Sequence, residues 1–111
     1  MIKIQNLKIY NFLNELVKVS PIVKYKKNTI ILENDSIIEN IYYIHSGEVK
    51  VRRENKIVKI LNEGEIFGEI GLFNQIESLY EYFVDYDCSI IIISYSNIFL
   101  YLGDKYIQNF I

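Results

Sequence analysis

Alanine and tryptophan are missing from this 111-residue chain, and proline, cysteine and histidine occur once each. A single cysteine excludes an internal disulfide and fits a reducing compartment. Cys88 reads as a small buried hydrophobe in a strand. A single histidine, His45, excludes the metal centres of metal-dependent jelly-roll enzymes, which need several such ligands. It reads instead as a turn-flanking residue at a strand end. No Ser-His-Asp or Cys-His arrangement has supporting context, so a non-enzymatic chain is expected. No apolar run approaches the roughly 20 residues that span a bilayer, and the first residues, Met-Ile-Lys-Ile-Gln-Asn, are no secretory signal. We expect a soluble intracellular protein without a membrane partner. The favoured residues Ile, Asn, Lys and Tyr have A/T-rich codons, which points to a low-GC genome: an organelle, a reduced bacterium or an A/T-rich protist.

Basic residues are also missing from a long stretch. Eleven of the twelve Lys and Arg lie at or before Lys59, and the twelfth is Lys105. Residues 60–104 hold Glu63, Glu65, Glu69, Glu77, Glu81, Asp85, Asp87 and Asp104, so that half should sit in a negative potential. The net charge of −2 gives no general attraction to nucleic acid or acidic membranes. Lys24-Tyr-Lys-Lys27 and Arg52-Arg53 read as solvated protection of sheet edges, and Glu81 with Asp85 as a solvated acidic face.

What is present has the periodicity of strands. Residues 1–18 place Ile4, Leu7, Phe12, Leu13, Leu16 and Val17 at helical spacing, which predicts an amphipathic helix stopped by Ser20-Pro21. From Lys24 the period changes. Thr29–Leu32 is a short β-branched strand, 33–36 a turn, and Ile41–His45 a second strand ended by Ser46-Gly47. In 48–52, Val49 and Val51 share one face. Glu54-Asn55 makes a tight turn, and 56–61 returns as the hairpin partner. Leu79 to Tyr86 alternates, with Tyr80, Tyr82, Val84 and Tyr86 on one side, and 89–94 is a strand buried on both faces. Residues 96–102 form a short capped helix ended by Gly103, and Asp104 onward opens another. Six or more short strands at this spacing predict one mainly β domain, a sandwich or barrel, with a helical lead (1–20), a β-roll (22–94) and a helical end (96–111).

Asn62 to Phe73 carries three of the five glycines, at 64, 68 and 71, among acidic and large apolar residues. Glycine at that density marks sharp turns or close approach, and free backbone N–H groups in such a turn can cradle an anion.

Three segments in order carry a family resemblance. They are Asn34-Asp35 after the first strand, Tyr42-Tyr-Ile-His-Ser-Gly-Glu-Val-Lys-Val51, and Glu63-Gly-Glu-Ile-Phe-Gly-Glu-Ile-Gly-Leu72. Together they resemble the cyclic-nucleotide-binding domain of catabolite-activator and FNR-type transcription regulators over residues 20–103. The resemblance implies an antiparallel double-stranded β-helix (jelly roll) with flanking N- and C-terminal helices. It also implies a binding site at Phe67, Gly68, Glu69, Ile70, Gly71 and Leu72, in which backbone N–H groups face a phosphate and Glu69 accepts from a ribose hydroxyl. The family's other half-site is an arginine about ten residues later. The corresponding segment 75–82 here has neither Arg nor Lys, and Ser78 and Leu79 stand near the arginine's place.

Residues 77–93 look most like the cyanobacterial and red-algal plastid nitrogen regulators, which sense 2-oxoglutarate. That likeness implies a plastid stroma or the cytoplasm of a low-GC organism. The possible effectors are therefore a cyclic nucleotide or 2-oxoglutarate, both disfavoured by the missing arginine, and no cofactor is expected. The family's long dimerisation helix and DNA-reading domain would begin where this chain ends, so direct DNA binding by this chain alone is not expected. Two function classes stand: an effector-sensing regulatory domain with a degenerate anion pocket, and a ligand-free interaction or dimerisation module on the same fold. Apolar residues in the helical end, Ile98 and Leu100 to Leu102 among them, predict a homodimer or partner contact there.

Overall fold

The structure is a computed structural model that describes residues 2–3, 12–72 and 74–103, the first two by backbone alone. Strand β1 (Ile2–Lys3) is followed by helix α1 (Leu13–Val19) and strands β2 (Ile22–Tyr25), β3 (Thr29–Leu32), β4 (Asn40–Ser46), β5 (Val49–Arg53), β6 (Lys56–Leu61) and β7 (Glu65–Phe67). A 3-10 turn at Glu69–Gly71 leads to β8 (Glu81–Val84), β9 (Cys88–Ser94) and helix α2 (Tyr95–Leu102). Every strand pairing is antiparallel. One sheet runs β1-β7-β4-β9-β2, the other β3-β8-β5-β6. This is the mainly β, jelly-roll-like architecture with flanking helices that the segment order predicts.

Two apolar layers hold it together. Between the sheets lie Tyr42, Ile44, Val49, Val51, Leu61, Phe67, Tyr82, Val84, Cys88 and Ile90. Under the two helices lie Leu13, Leu16, Ile41, Ile66, Leu72, Ile91, Ile93 and Ile98. Because side chains alternate along a strand, Ile41 and Ile91 face the helices while Tyr42 and Ile90 face the sandwich. That is why the run of isoleucines in β9 is buried on both faces. Glu54 and Asn55 join β5 to β6 with φ of 52° and 66°, the backbone that a two-residue hairpin loop of this twist needs. In α2, Ser94 caps the first turn by accepting from the Asn97 N–H at 3.1 Å.

Four sequence expectations are corrected. The lead does not begin as a helix: Ile2 pairs with Ile66 and Lys3 with Glu65 as an added strand on β7. Helix is described only over Leu13–Val19, and it stops where Ser20, preceding Pro21, turns extended (φ −94°, ψ 153°). Residues 4–11, and the helix expected from Asp104 on, lie outside the described residues.

The strand expected over 79–86 is only four residues long, with Tyr82, Phe83 and Val84 all buried and Tyr86 76% exposed. Phe83 faces away from the sandwich but is covered by the Arg52 guanidinium, 4.3 Å from its ring centre. Arg52 is therefore no edge guard, because β5 runs between β8 and β6. Nor are Glu81 and Asp85 merely solvated. Glu81 pairs with Arg52, its register partner across the β5–β8 ladder, and Asp85 pairs with Lys50. No described helix is long and apolar enough to cross a membrane.

A small cavity behind the glycine cassette

The cassette is shaped by one close approach. Strand β7 pairs with β4, Phe67 opposite Tyr42 and Ile66 opposite Tyr43. At Gly68 the backbone goes left-handed (φ 86°), and a Cβ there would lie 2.4 Å from the Asn40 carbonyl oxygen of β4. Only glycine fits. The chain then enters the 3-10 turn, closed by the Leu72 N–H donating to the Glu69 carbonyl at 3.1 Å. The Tyr95 hydroxyl, at the start of α2, donates to the Gly68 carbonyl and ties the turn to the second helix.

The six cassette residues named from the resemblance do not share one surface. The Phe67 ring is fully buried, stacked between Tyr42 and Tyr82 at centroid distances of 4.6 and 4.4 Å. Gly71 and Leu72 face a broad hollow of about 540 Å³ on the far side of the turn, which the start of α2 also lines. Gly68, Glu69 and Ile70 border a smaller, more enclosed cavity of about 110 Å³. Ser78 and Leu79 border the same cavity from the opposite side. The smaller cavity, not the larger hollow, is the one that both named segments share.

Residues 76–80 are held there by the turn after β3. The Asp35 N–H donates to the Ser78 carbonyl (2.7 Å), the Ser78 N–H to the Ser36 carbonyl (2.8 Å) and the Ile38 N–H to the Ile76 carbonyl (3.0 Å). Asp35 itself adopts φ 68°, a left-handed conformation that Asn and Asp tolerate best among residues with a Cβ. Ser78 is 2% exposed, and its hydroxyl donates to the Tyr80 carbonyl at 2.6 Å. That hydroxyl is used locally. Leu79, 57% exposed, stands at the cavity margin.

Electrostatically the cavity carries one sign. Glu69 and Glu77 line it, and no Lys or Arg does. Burial pushes the Glu69 carboxyl above the usual carboxylate range, with the charge of Lys59 pulling the other way, and among the described residues its Oε2 is buried with no hydrogen-bond partner. The Tyr82 phenol is pushed well above its ordinary range, first by burial and then by the Glu69 charge. Among the described residues, no group of three or more His, Cys, Asp and Glu could hold a metal ion.

Ile38, Ile76 and Tyr82 complete the wall, and sequence reasoning did not assign them to a site. For Tyr82 a signal existed, since alternation puts it on the face of Tyr80. Ile38 and Tyr95 gave none, because their roles depend on the contacts of the turn after β3 and of α2.

The family profile of the cyclic nucleotide-binding domain matches residues 22–102. A comparison with curated proteins gives no match. Among solved structures, the N-terminal domain of a transcriptional regulator from Streptomyces coelicolor A3(2) superposes with a TM-score of 0.78 at 13% identity, over 92% of this chain and 76% of that one. The c-di-GMP-responsive global regulator CLP of Xanthomonas campestris gives 0.73 at 20%, over 89% and 50%. The cGMP-bound EAL enzyme Bd1971 gives 0.65 at 23%, over 75% and 23%. This chain thus spans about three quarters, one half and one quarter of those chains. At these identities the likeness is one of fold, while the profile covers most of the chain: it belongs to the cyclic nucleotide-binding domain family.

Proposed function

We propose that this chain is the effector-sensing regulatory domain of a transcription regulator, with a pocket that no longer holds an anion. The observation that carries this reading is the lining of the 110 Å³ cavity, whose charged groups are Glu69 and Glu77 and which no Lys or Arg lines. An anion entering a partly buried site needs opposite charge or several hydrogen bonds to offset its desolvation. Two like unit charges about 5 Å apart repel by about 3 kcal/mol at an effective dielectric near 20. The dipole of a single short turn returns about 0.3–1 kcal/mol, so repulsion wins. The likeness of residues 77–93 to plastid nitrogen regulators, with a composition rich in residues whose codons are A/T-rich, supports a nitrogen-control ancestry.

A second reading, an interaction module on the same fold, is favoured by α2. That helix buries Ile98 but leaves Phe99 47% and Leu100 67% exposed, a surface suited to a second copy or a partner helix.

Calorimetric titration with cAMP, cGMP and 2-oxoglutarate tests the first reading. We expect no saturable heat from any of the three up to millimolar concentration. Micromolar binding of any of them refutes the loss of the anion site. Light scattering tests the second, with concentration-dependent dimers expected and then weakened in Leu100→Ser.

A further inference from the structure

Strand β6 leaves nearly all of its side chains in solvent: only Leu61 is buried, while Ile57, Val58 and Ile60 are each about half exposed. It closes the sheet β3-β8-β5-β6, so among the described residues one side of its backbone pairs with β5 and the other with no strand. The register sorts its side chains, because neighbours across a ladder share a face. Lys59 and Leu61 lie opposite Val51 and Val49, which face the sandwich. Ile57 and Ile60 lie opposite Arg52 and Lys50, on the outer face with Phe83. Lys56, next to Ile57, points to the lysine side, and Val58 is the extra residue of a bulge. Isoleucines thus mark one face of this edge and lysines the other. The described ion pairs, Lys50–Asp85 and Arg52–Glu81, take up two cations of β5 but neither lysine of β6. Lys59 pulls on the Glu69 carboxyl without standing at ion-pair distance from it.

We propose that β6 is the docking edge for an extended segment of a partner protein in which apolar and acidic residues alternate. Added as a further strand, such a segment pairs its own backbone with the open side of β6, which supplies affinity. Its apolar residues fall on the face of Ile57 and Ile60, removing them from water, and its carboxylates on the face of Lys56 and Lys59. Charge selects this occupant over a second copy. Two β6 strands side by side would crowd the lysines of both onto one short ladder, and edge lysines are how sheets discourage such pairing. An acidic strand turns the same lysines into attraction. The bulge at Val58 shortens the regular ladder and keeps the contact weak and reversible. This edge is separate from α2 and from the cavity behind the cassette, so the proposal stands apart from what that cavity binds.

NMR titration of the whole chain with synthetic octapeptides at low salt is the test. An alternating Glu-Val peptide should give saturable shifts centred on the amides of residues 56–61, with a Kd on the order of 0.1–1 mM. It should also slow hydrogen exchange at alternate amides of β6, the signature of an added strand. An alternating Lys-Val peptide should not bind. A block peptide, the glutamates first and the valines after, should bind about ten times more weakly at the same composition. Lys56→Glu combined with Lys59→Glu should transfer the preference to the Lys-Val peptide. Ile57→Ser combined with Ile60→Ser should weaken Glu-Val binding about tenfold. Thermal melts check that both variants fold. The proposal is overturned if millimolar Glu-Val peptide leaves those amides unmoved, if the block peptide binds as tightly, or if the preference survives reversal of the two lysines. Shifts at 56–61 that grow with the concentration of the chain alone would assign the edge to a second copy and overturn it as well.

Discussion

Gly64 and Gly68 have nearly the same backbone, with φ of 83° and 86°, but different surroundings. A Cβ on Gly64 would meet nothing within 4 Å, whereas one on Gly68 would lie 2.4 Å from the Asn40 carbonyl oxygen and 3.1 Å from the Tyr42 ring. Replacing each by alanine therefore separates conformational strain from close approach. Alanine in the left-handed region costs about 1–2 kcal/mol at either site. At Gly68 the methyl would also stand about 1 Å inside the usual 3.3–3.6 Å carbon–oxygen approach. The obstacle is backbone in the central strand β4, which is paired on both sides by β7 and β9. Overpacking of that kind adds about 1–3 kcal/mol, bringing Gly68→Ala to about 2–5 kcal/mol. At about 4–6 °C per kcal/mol for a domain near this size, Tm should fall by about 8–30 °C in Gly68→Ala and by about 4–12 °C in Gly64→Ala. Circular dichroism melts measure both, and amide shifts in Gly68→Ala should centre on Asn40 and Tyr42. Equal losses at the two sites, or a larger loss at Gly64, would refute the close-approach argument.

Four further outcomes follow from the same geometry. Tyr95→Phe removes the donor to the Gly68 carbonyl and should cost about 0.5–1.5 kcal/mol, read as a lower urea midpoint with an unchanged m-value. Because burial raises the folded-state pKa of Glu69 above its ordinary 4.5, the folded state holds that proton more tightly than the unfolded chain. The resulting penalty is absent below about pH 4.5 and grows as pH rises through the folded value. Glu69→Gln should therefore melt above the wild type at pH 7, with the gap closing on acidification; a pH-independent gap would contradict the burial argument. Leu79→Arg places a cation at an exposed margin of the cavity and should confer measurable cAMP or phosphate binding. Ser78→Arg would instead bury an unpaired guanidinium at a 2% exposed position, costing about 3–5 kcal/mol in chemical denaturation.

The strands were legible because their signals are local. Val49 and Val51 alternate with charges, Glu54-Asn55 turns the hairpin, and the isoleucines of β9 form a continuous apolar run. The errors arose where a distant group decided the outcome. Phe83 breaks the expected alternation of β8 because Arg52, from the neighbouring strand, covers it. The charges of Glu81 and Asp85 could not be assigned to partners until β5 and β8 were placed side by side. Ile2–Lys3 reads as the start of a helix by periodicity, yet two backbone pairings on β7 outweigh that preference. The cassette was visible in sequence, but which of its residues face the cavity was not. A 3-10 turn sends Ile70 outward and turns Leu72 into the helix-side core, and strand or helix periodicity does not describe so short a turn.

The same geometry separates the cassette from the facing segment 75–82, which contains no Lys or Arg. Ile66, Phe67 and Leu72 are all at or below 2% exposure and belong to the two cores. Truncating residues so buried costs about 2–5 kcal/mol each. Gly68 is fixed by the nearness of β4, and its carbonyl anchors Tyr95. These residues are needed for folding whether or not a ligand binds. The side chains of Glu77 and Leu79 on the facing segment are exposed, and that segment is held chiefly by its backbone hydrogen bonds to residues 35–38. Side chains there can change sign or size within about 0.5 kcal/mol of stability. Selection for the fold alone preserves the cassette and leaves the chemistry of the opposite wall open, so the sign of the charge in this cavity is not set by the fold.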